Sequence, residues 1–207
     1  MYLPRAFAED DLGQLDALIA RDPFITLVTV DADGSAQVNH LPVLYARDGH
    51  DIVLEGHWAR PNPQARHVGQ ALAIVHGPHA YVSPSAYPDK EAAARVPTWN
   101  YAVAHLYGTL DSFEDTASLS DLVQRLSVHF ETSVGRDWRF EPEREDHVRQ
   151  LRGIVGFRLR IARTVLKFKL SQNHPAANQQ AVAADLASRA DPNAHAVAAL
   201  MASTQHA

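Results

Sequence analysis

The stretch LEGHWARPNPQARHV (residues 54–68) places His57, Arg60 and Asn62 where a β-rich run gives way to a proline. These residue types suit an anion. Arg60 and the Asn62 amide can donate hydrogen bonds, and Pro63 opens a short helix whose first backbone N–H groups have no intrahelical partner. The same residues admit a plainer reading, in which Asn62 caps the helix and Arg60 is solvated. A second run, VPTWNYAVAHLYG (96–108), alternates like a strand. Trp99, Tyr101, Val103, His105 and Tyr107 share one face, and Asn100, Ala102, Ala104, Leu106 and Gly108 the other. Its rings either fill a barrel core above a close-packed small face, or lie against a flat cofactor or a partner subunit.

Other chemistries lack their residues. The 207-residue chain has no cysteine, which removes disulfides, thiolate nucleophiles and Cys-ligated metals. Its 12 histidines include no H-E-x-x-H, and the pair His76 and His79 straddles Gly-Pro without a nearby carboxylate, so no metal is expected. The G-x-S-x-G elbow, the P-loop and the G-x-G-x-x-G turn are all missing. A net charge of −5 gives no global attraction to nucleic acid. However, the acid-free stretch between His147 and Ala184 holds Arg149, Arg152, Arg158, Arg160, Arg163, Lys167 and Lys169, a segment able to face phosphate. No charged leader or bilayer-length apolar run is present, so a soluble cytoplasmic protein is expected, with no membrane partner.

The elements that would position these residues follow from periodicity. Leu12, Leu15, Leu18 and Ile19 predict an N-terminal helix over 9–20. Strands over 24–30, 36–45 and 51–57, joined by turns at Asp31–Gly34 and Asp48-Gly49, predict a three-strand meander. A short helix follows in 58–69, then strands at 71–77 and 79–84, a loop over 85–97, and the ring-rich strand. Leu119, Leu122, Val123, Leu126 and Phe130 predict a helix over 115–131, started by Ser118 with Asp121. A short helix near 143–151 precedes two strands, 154–163 and 164–171, each with one apolar and one basic face. From Pro175 the chain reads as two helices, whose Val182, Leu186, Val197 and Leu200 are buried either by subunit contact or within the chain. The sum is mainly β with peripheral helices, an antiparallel, Greek-key-like barrel over residues 1–174 with a helical appendage over 175–207.

MYLPRAF, VNHLPVL, LEGHWARPNPQ, ALAIVHGPHAYVSP, VPTWNYAVAHLYG and KLSQN, in this order, resemble the PaiB-like FMN-binding negative transcriptional regulators. The resemblance implies an FMN-binding split β-barrel related to pyridoxamine-phosphate oxidase, working as a homodimer with FMN at the subunit interface. It implies that His57, Arg60 and Asn62 form the phosphate side and that Asn39 and His40 form the wall against the flavin. Trp99 and Tyr101 would be its aromatic edge, closed by Lys169, Ser171, Gln172 and Asn173. After KLSQN the family pattern carries a basic residue, where this chain has His174 and Pro175. The function so implied is that of an FMN-binding transcriptional repressor, acting directly or through another regulator; the basic Arg149 to Lys169 segment is the candidate for direct contact with DNA. An FMN-dependent oxidoreductase is the alternative, the cofactor performing the chemistry, and haem handling a more distant one.

Overall fold

The computed structural model describes residues 1–204. Its strands are β1 (Ala8–Glu9), β2 (Phe24–Val30), β3 (Ala36–Pro42), β4 (Leu44–Asp48), β5 (Asp51–Ala59), β6 (Gly69–Val82), β7 (Thr98–Phe113) and β8 (Ile154–Lys169). Its α-helices are α1 (Leu12–Arg21), α2 (Thr116–Ser133), α3 (Glu145–Gln150), α4 (Ala176–Ala187) and α5 (Pro192–Thr204). The strands form one antiparallel eight-stranded sheet in the order β3-β2-β6-β7-β8-β5-β4, with β1 added to β8.

Two hairpins start the sheet. β2 is a β-branched run that turns through Asp31–Gly34, where Gly34 takes a φ of 86° and donates its N–H to Asp31 O. β3 then pairs along the whole of β2, Phe24 opposite Pro42 and Val30 opposite Ala36. β4 and β5 form the second hairpin around Gly49. The expected meander is not formed. The run 36–45 breaks at Val43, and its halves β3 and β4 stand at opposite ends of the strand order. Periodicity could not show this, because the break is one buried residue whose N–H binds Pro23 O. Gly56 on β5 marks where the sheet closes on itself, since a Cβ there would come within 3.0 Å of Pro42 O and 2.7 Å of the Phe157 ring.

Two further expectations are corrected, and one of the two readings of β7 is excluded. Segments 71–77 and 79–84 are one strand, β6, whose alternation slips by one residue where Gly77 and Pro78 are both buried. Segments 154–163 and 164–171 are likewise one strand, β8. In β7 the small face is the inner one. Asn100, Ala102, Ala104, Leu106, Gly108 and Leu110 are buried, whereas Trp99 is exposed and Tyr101, Val103, His105 and Tyr107 are partly so. The reason is close backbone approach: a Cβ on Gly108 would sit 2.0 Å from Arg160 O.

The chain divides into two compact units. The first comprises Met1–Leu18, His76–Ala104 and the chain from Val165 onward. Its core includes Leu15, Ala80, Val82, Ala102, Phe168 and Leu170. α4 and α5 pack on each other here and bury Val182, Leu186 and Val197 within the chain. Asn178 Nδ2 donates to Asp89 at 2.8 Å and Arg189 to Tyr81 O at 2.7 Å, which ties α4 to the residues around β6. The second unit comprises Ile19–Val75 and His105–Thr164. Its core holds Ile25, Leu27, Leu54, Trp58, Leu106 and Phe157, and α2 and α3 enclose a further cluster of Leu119, Phe140 and Leu151. α2 is capped by Asp115, whose carboxylate accepts from Ser118 N at 2.8 Å, so it starts at Thr116 without the expected Ser118–Asp121 box. No helix among the described residues is long and apolar enough to cross a membrane.

Candidate functional site

In the second unit, the strand carrying Asn39 and the loop carrying Asn62 are joined by a chain of amides. Asn62 Oδ1 accepts from Gln64 N at 3.0 Å, capping the single 3-10 turn Pro63–Arg66 that stands in place of the expected helix. Asn62 Nδ2 donates to Asn39 Oδ1 at 2.8 Å, and Asn39 Nδ2 donates to Gln64 Oε1 at 2.9 Å. The Trp58 indole N–H reaches the same Gln64 oxygen at 3.0 Å. Gln64 Nε2 donates to Leu27 O and Gln37 O, both at 3.2 Å, with Thr29 Oγ1 at 3.3 Å. Gln64 is fully buried, so a satisfied network of this kind fixes the corner rigidly. The sequence reading missed Gln64. The only local signal was its place two residues after a capping asparagine, and its partners on β2 and β3 are distant in sequence.

The other expected residues of this unit face elsewhere. His40, next to Asn39 on β3, is exposed on the opposite face, with Nδ1 3.0 Å from Thr26 Oγ1 and its ring stacked 6.3 Å from Phe24. His57 alternates with Trp58 and is half-buried, and burial pushes its pKa below the ordinary histidine value. Arg60 donates through Nε to Arg152 O at 2.6 Å, through Nη2 to Ile154 O at 3.0 Å, and through Nη1 to Glu114. Three of its five N–H groups are thus spent and its charge is matched by a carboxylate. It borders a cavity of about 520 Å³ together with Arg149, Arg152, Glu114, Glu143 and Glu145, so the charges of that wall balance.

Most of the remaining cations in the acid-free segment are also occupied. Arg158 donates to Glu55 at 2.6 and 2.9 Å, and Arg160 pairs with Asp111. The Arg163 guanidinium lies 3.6 Å above the Tyr107 ring. In the first unit Lys167 is buried, its ammonium 5.3 Å from the Tyr101 ring centre and 5.7 Å from that of Tyr2, and it donates to Tyr2 O at 3.1 Å.

The first unit gathers the remaining expected residues. Trp99 is half exposed and packs against His79 and Tyr81, with ring centres 5.8 and 6.0 Å away. Lys169 Nζ donates to Thr98 Oγ1 and Trp99 O, each at 2.6 Å. Buried Ser171 exchanges hydrogen bonds with buried Asn100, at 2.9 and 3.1 Å. Gln172 is used locally, donating to Phe168 O at 2.5 Å and accepting from Leu170 N at 2.7 Å. Asn173 is exposed and, with Lys169 and Ser171, borders a second cavity of about 280 Å³. The sequence reading missed the rest of that wall. Tyr87 is there, its pKa raised by burial, and so is Arg95, which grips Asp89 at 2.5 and 3.0 Å and holds that carboxyl down to about 2. Among the described residues no group of three or more His, Asp or Glu is placed to hold a metal.

The strand order and closure define an antiparallel split β-barrel. Among solved structures it is similar to the FAD and heme binding protein of Mycobacterium smegmatis, with a TM-score of 0.55, 16% identity, and coverage of 84% of this chain and 78% of that one. It also resembles a structure described as a putative 5-nitroimidazole antibiotic resistance protein of Bacteroides thetaiotaomicron, with a TM-score of 0.53, 10% identity, and coverage of 77% and 85%. At these identities the likeness shows the fold alone. By sequence, the chain is 30% identical to the Bacillus subtilis protease synthase and sporulation protein PAI 2 over 97% of this chain and 96% of that one. It is 32% identical to an uncharacterised Emericella nidulans protein, over 83% and 84%. Residues 1–163 match the family described as "Putative FMN-binding domain", and the chain belongs to that family.

Proposed function

We propose that this protein binds FMN as a homodimer and acts as a PaiB-like transcriptional regulator. The observation that carries the flavin reading is the family match over residues 1–163, which spans the Asn39–Asn62–Gln64 corner. That corner offers what a flavin ring edge needs, fixed amide donors and acceptors with positions to spare. Each asparagine amide uses one N–H inside the network and keeps a second.

The dimer reading rests on the outer face of β3, β2 and β6 in the second unit. Phe24, Val28, Val30, Val38, Leu72 and Ile74 share it, and Phe24, Val30 and Val38 are each about half exposed. A second copy covering this face would bury a contiguous apolar surface that a monomer would leave wet. Regulation through another protein is favoured over direct DNA contact, because the arginines of β8 are spent on Glu55, Asp111 and Tyr107. The name of the Bacillus relative, with its reference to protease synthesis and sporulation, is in keeping with a regulatory role.

Two measurements test this reading. The purified protein should show a bound-flavin visible spectrum, with heat releasing a compound of FMN mass. A colourless protein that takes up no FMN on incubation overturns it. Promoter DNA should show no salt-dependent affinity for the protein alone, and a steep salt dependence would reinstate direct contact.

A further inference from the structure

The wall of the first unit's cavity carries hydrogen-bond donors that the chain leaves partly unused. Lys169 has three ammonium N–H groups and uses two, on Thr98 Oγ1 and Trp99 O. No carboxylate opposes the burial and the neighbouring Lys167 charge that lower its pKa. Thr98 Oγ1 accepts from that ammonium, so its own hydrogen is left to donate. His174 Nδ1 lies 3.2 Å from Arg95 Nη1. A guanidinium only donates, so Nδ1 is the acceptor and the neutral ring carries its hydrogen on Nε2. Arg95 itself is neutralised by Asp89. Tyr87 backs this wall: it is 2% exposed, and its hydroxyl is closed off from the cavity beside Ser171, whose own hydroxyl is engaged with Asn100.

Backbone strain gathers at the same place. Ala94 and Ser171 are the non-glycine residues of the described chain with positive φ, 46° and 67°, and both border this cavity. Such strain is retained where a site over-determines the backbone. Lys169, Ser171 and His174 also lie beyond the residues matched by the flavin family.

We propose that this cavity binds a phosphate group through Lys169, Thr98 and His174. The cavity volume of about 280 Å³ admits the group together with part of the small molecule that carries it. With a free phosphorylated ligand the site does not depend on the flavin reading; with FMN as the ligand it rests on that reading. Its phosphate comes either from a free phosphorylated small molecule or from FMN itself, and one experiment separates these sources.

The test is calorimetric titration with inorganic phosphate at low salt, on flavin-free protein and on protein saturated with riboflavin or with FMN. Wild type should bind phosphate, and Lys169→Met should weaken it at least about tenfold through loss of a charge-assisted donor. Thr98→Val should weaken it about threefold through loss of a neutral donor. Phosphate binding that survives FMN saturation assigns a free ligand, and binding lost to FMN but kept with riboflavin assigns the flavin's phosphate; both sustain the site. Absence of phosphate binding by wild type overturns the proposal, as does equal affinity in wild type and both variants. A protein that binds flavin but not phosphate overturns this proposal alone, and one that binds phosphate but no flavin overturns the flavin reading alone.

Discussion

At the scale of single residues, the side chains that fix the second unit have partners distant in sequence. Gln64 satisfies the Trp58 indole and Asn39 while donating to β2 and β3. Gln64→Leu removes both roles and strands a buried indole N–H, at a cost of about 2–4 kcal/mol measured by urea denaturation. Arg60 clamps Arg152 O, Ile154 O and Glu114. Arg60→Ala is therefore expected to lower stability and to weaken FMN and riboflavin alike; selective loss of FMN would return Arg60 to the phosphate role its sequence position suggested. Burial lowers the pKa of His57 and His174 from 6.5. Unfolded chains thus take up these protons first as pH falls, so the stability is complete above about 6.5 and declines as pH drops toward the folded values. Urea midpoints should fall between pH 7 and pH 5 in wild type, and less steeply in the His57→Gln/His174→Gln double variant.

At the scale of elements, β7 shows how small residues set the architecture. Gly108→Ala forces a Cβ to 2.0 Å from Arg160 O, a backbone atom that cannot yield without parting β7 from β8. A loss of about 3 kcal/mol or more is expected, whereas Gly153→Ala, which meets nothing within 4 Å, should be close to neutral in the same assay. Alternation along β7 was legible in the sequence, but its direction was not. Large rings normally signal the buried face, and here close strand approach at Gly77 and Gly108 reverses that rule. Turn chemistry placed the β2–β3 and β4–β5 hairpins well, because Gly34 and Gly49 adopt the positive φ that their dipeptides suggest. It could not reveal the break at Val43, where no glycine marks the crossing between sheet ends. In the candidate site, Asn39 and Asn62 were legible as capping and strand residues. Gln64 was not, because its partners come from other segments, and Tyr87 and Arg95 were not, because they fall in a run, 85–97, that the sequence marks only as a loop.

At the scale of the whole molecule, membership of the family described as "Putative FMN-binding domain", an antiparallel split barrel and an exposed apolar face on β2, β3 and β6 go together. Val28 and Val38 are paired directly across β2 and β3 on that face. Val28→Glu with Val38→Glu should give a folded monomer by sedimentation velocity and lower flavin retention, since like charges in a desolvated contact are strongly unfavourable. A double variant that sediments as wild type would place the subunit contact elsewhere. The central claim is that this chain holds FMN, and its most direct test is gel filtration of wild-type protein after incubation with FMN, recorded at flavin and protein wavelengths together. Oxidised flavin should elute with the protein at a fixed ratio to chain concentration. Flavin eluting only in the small-molecule volume, with the protein peak intact and colourless, would contradict it.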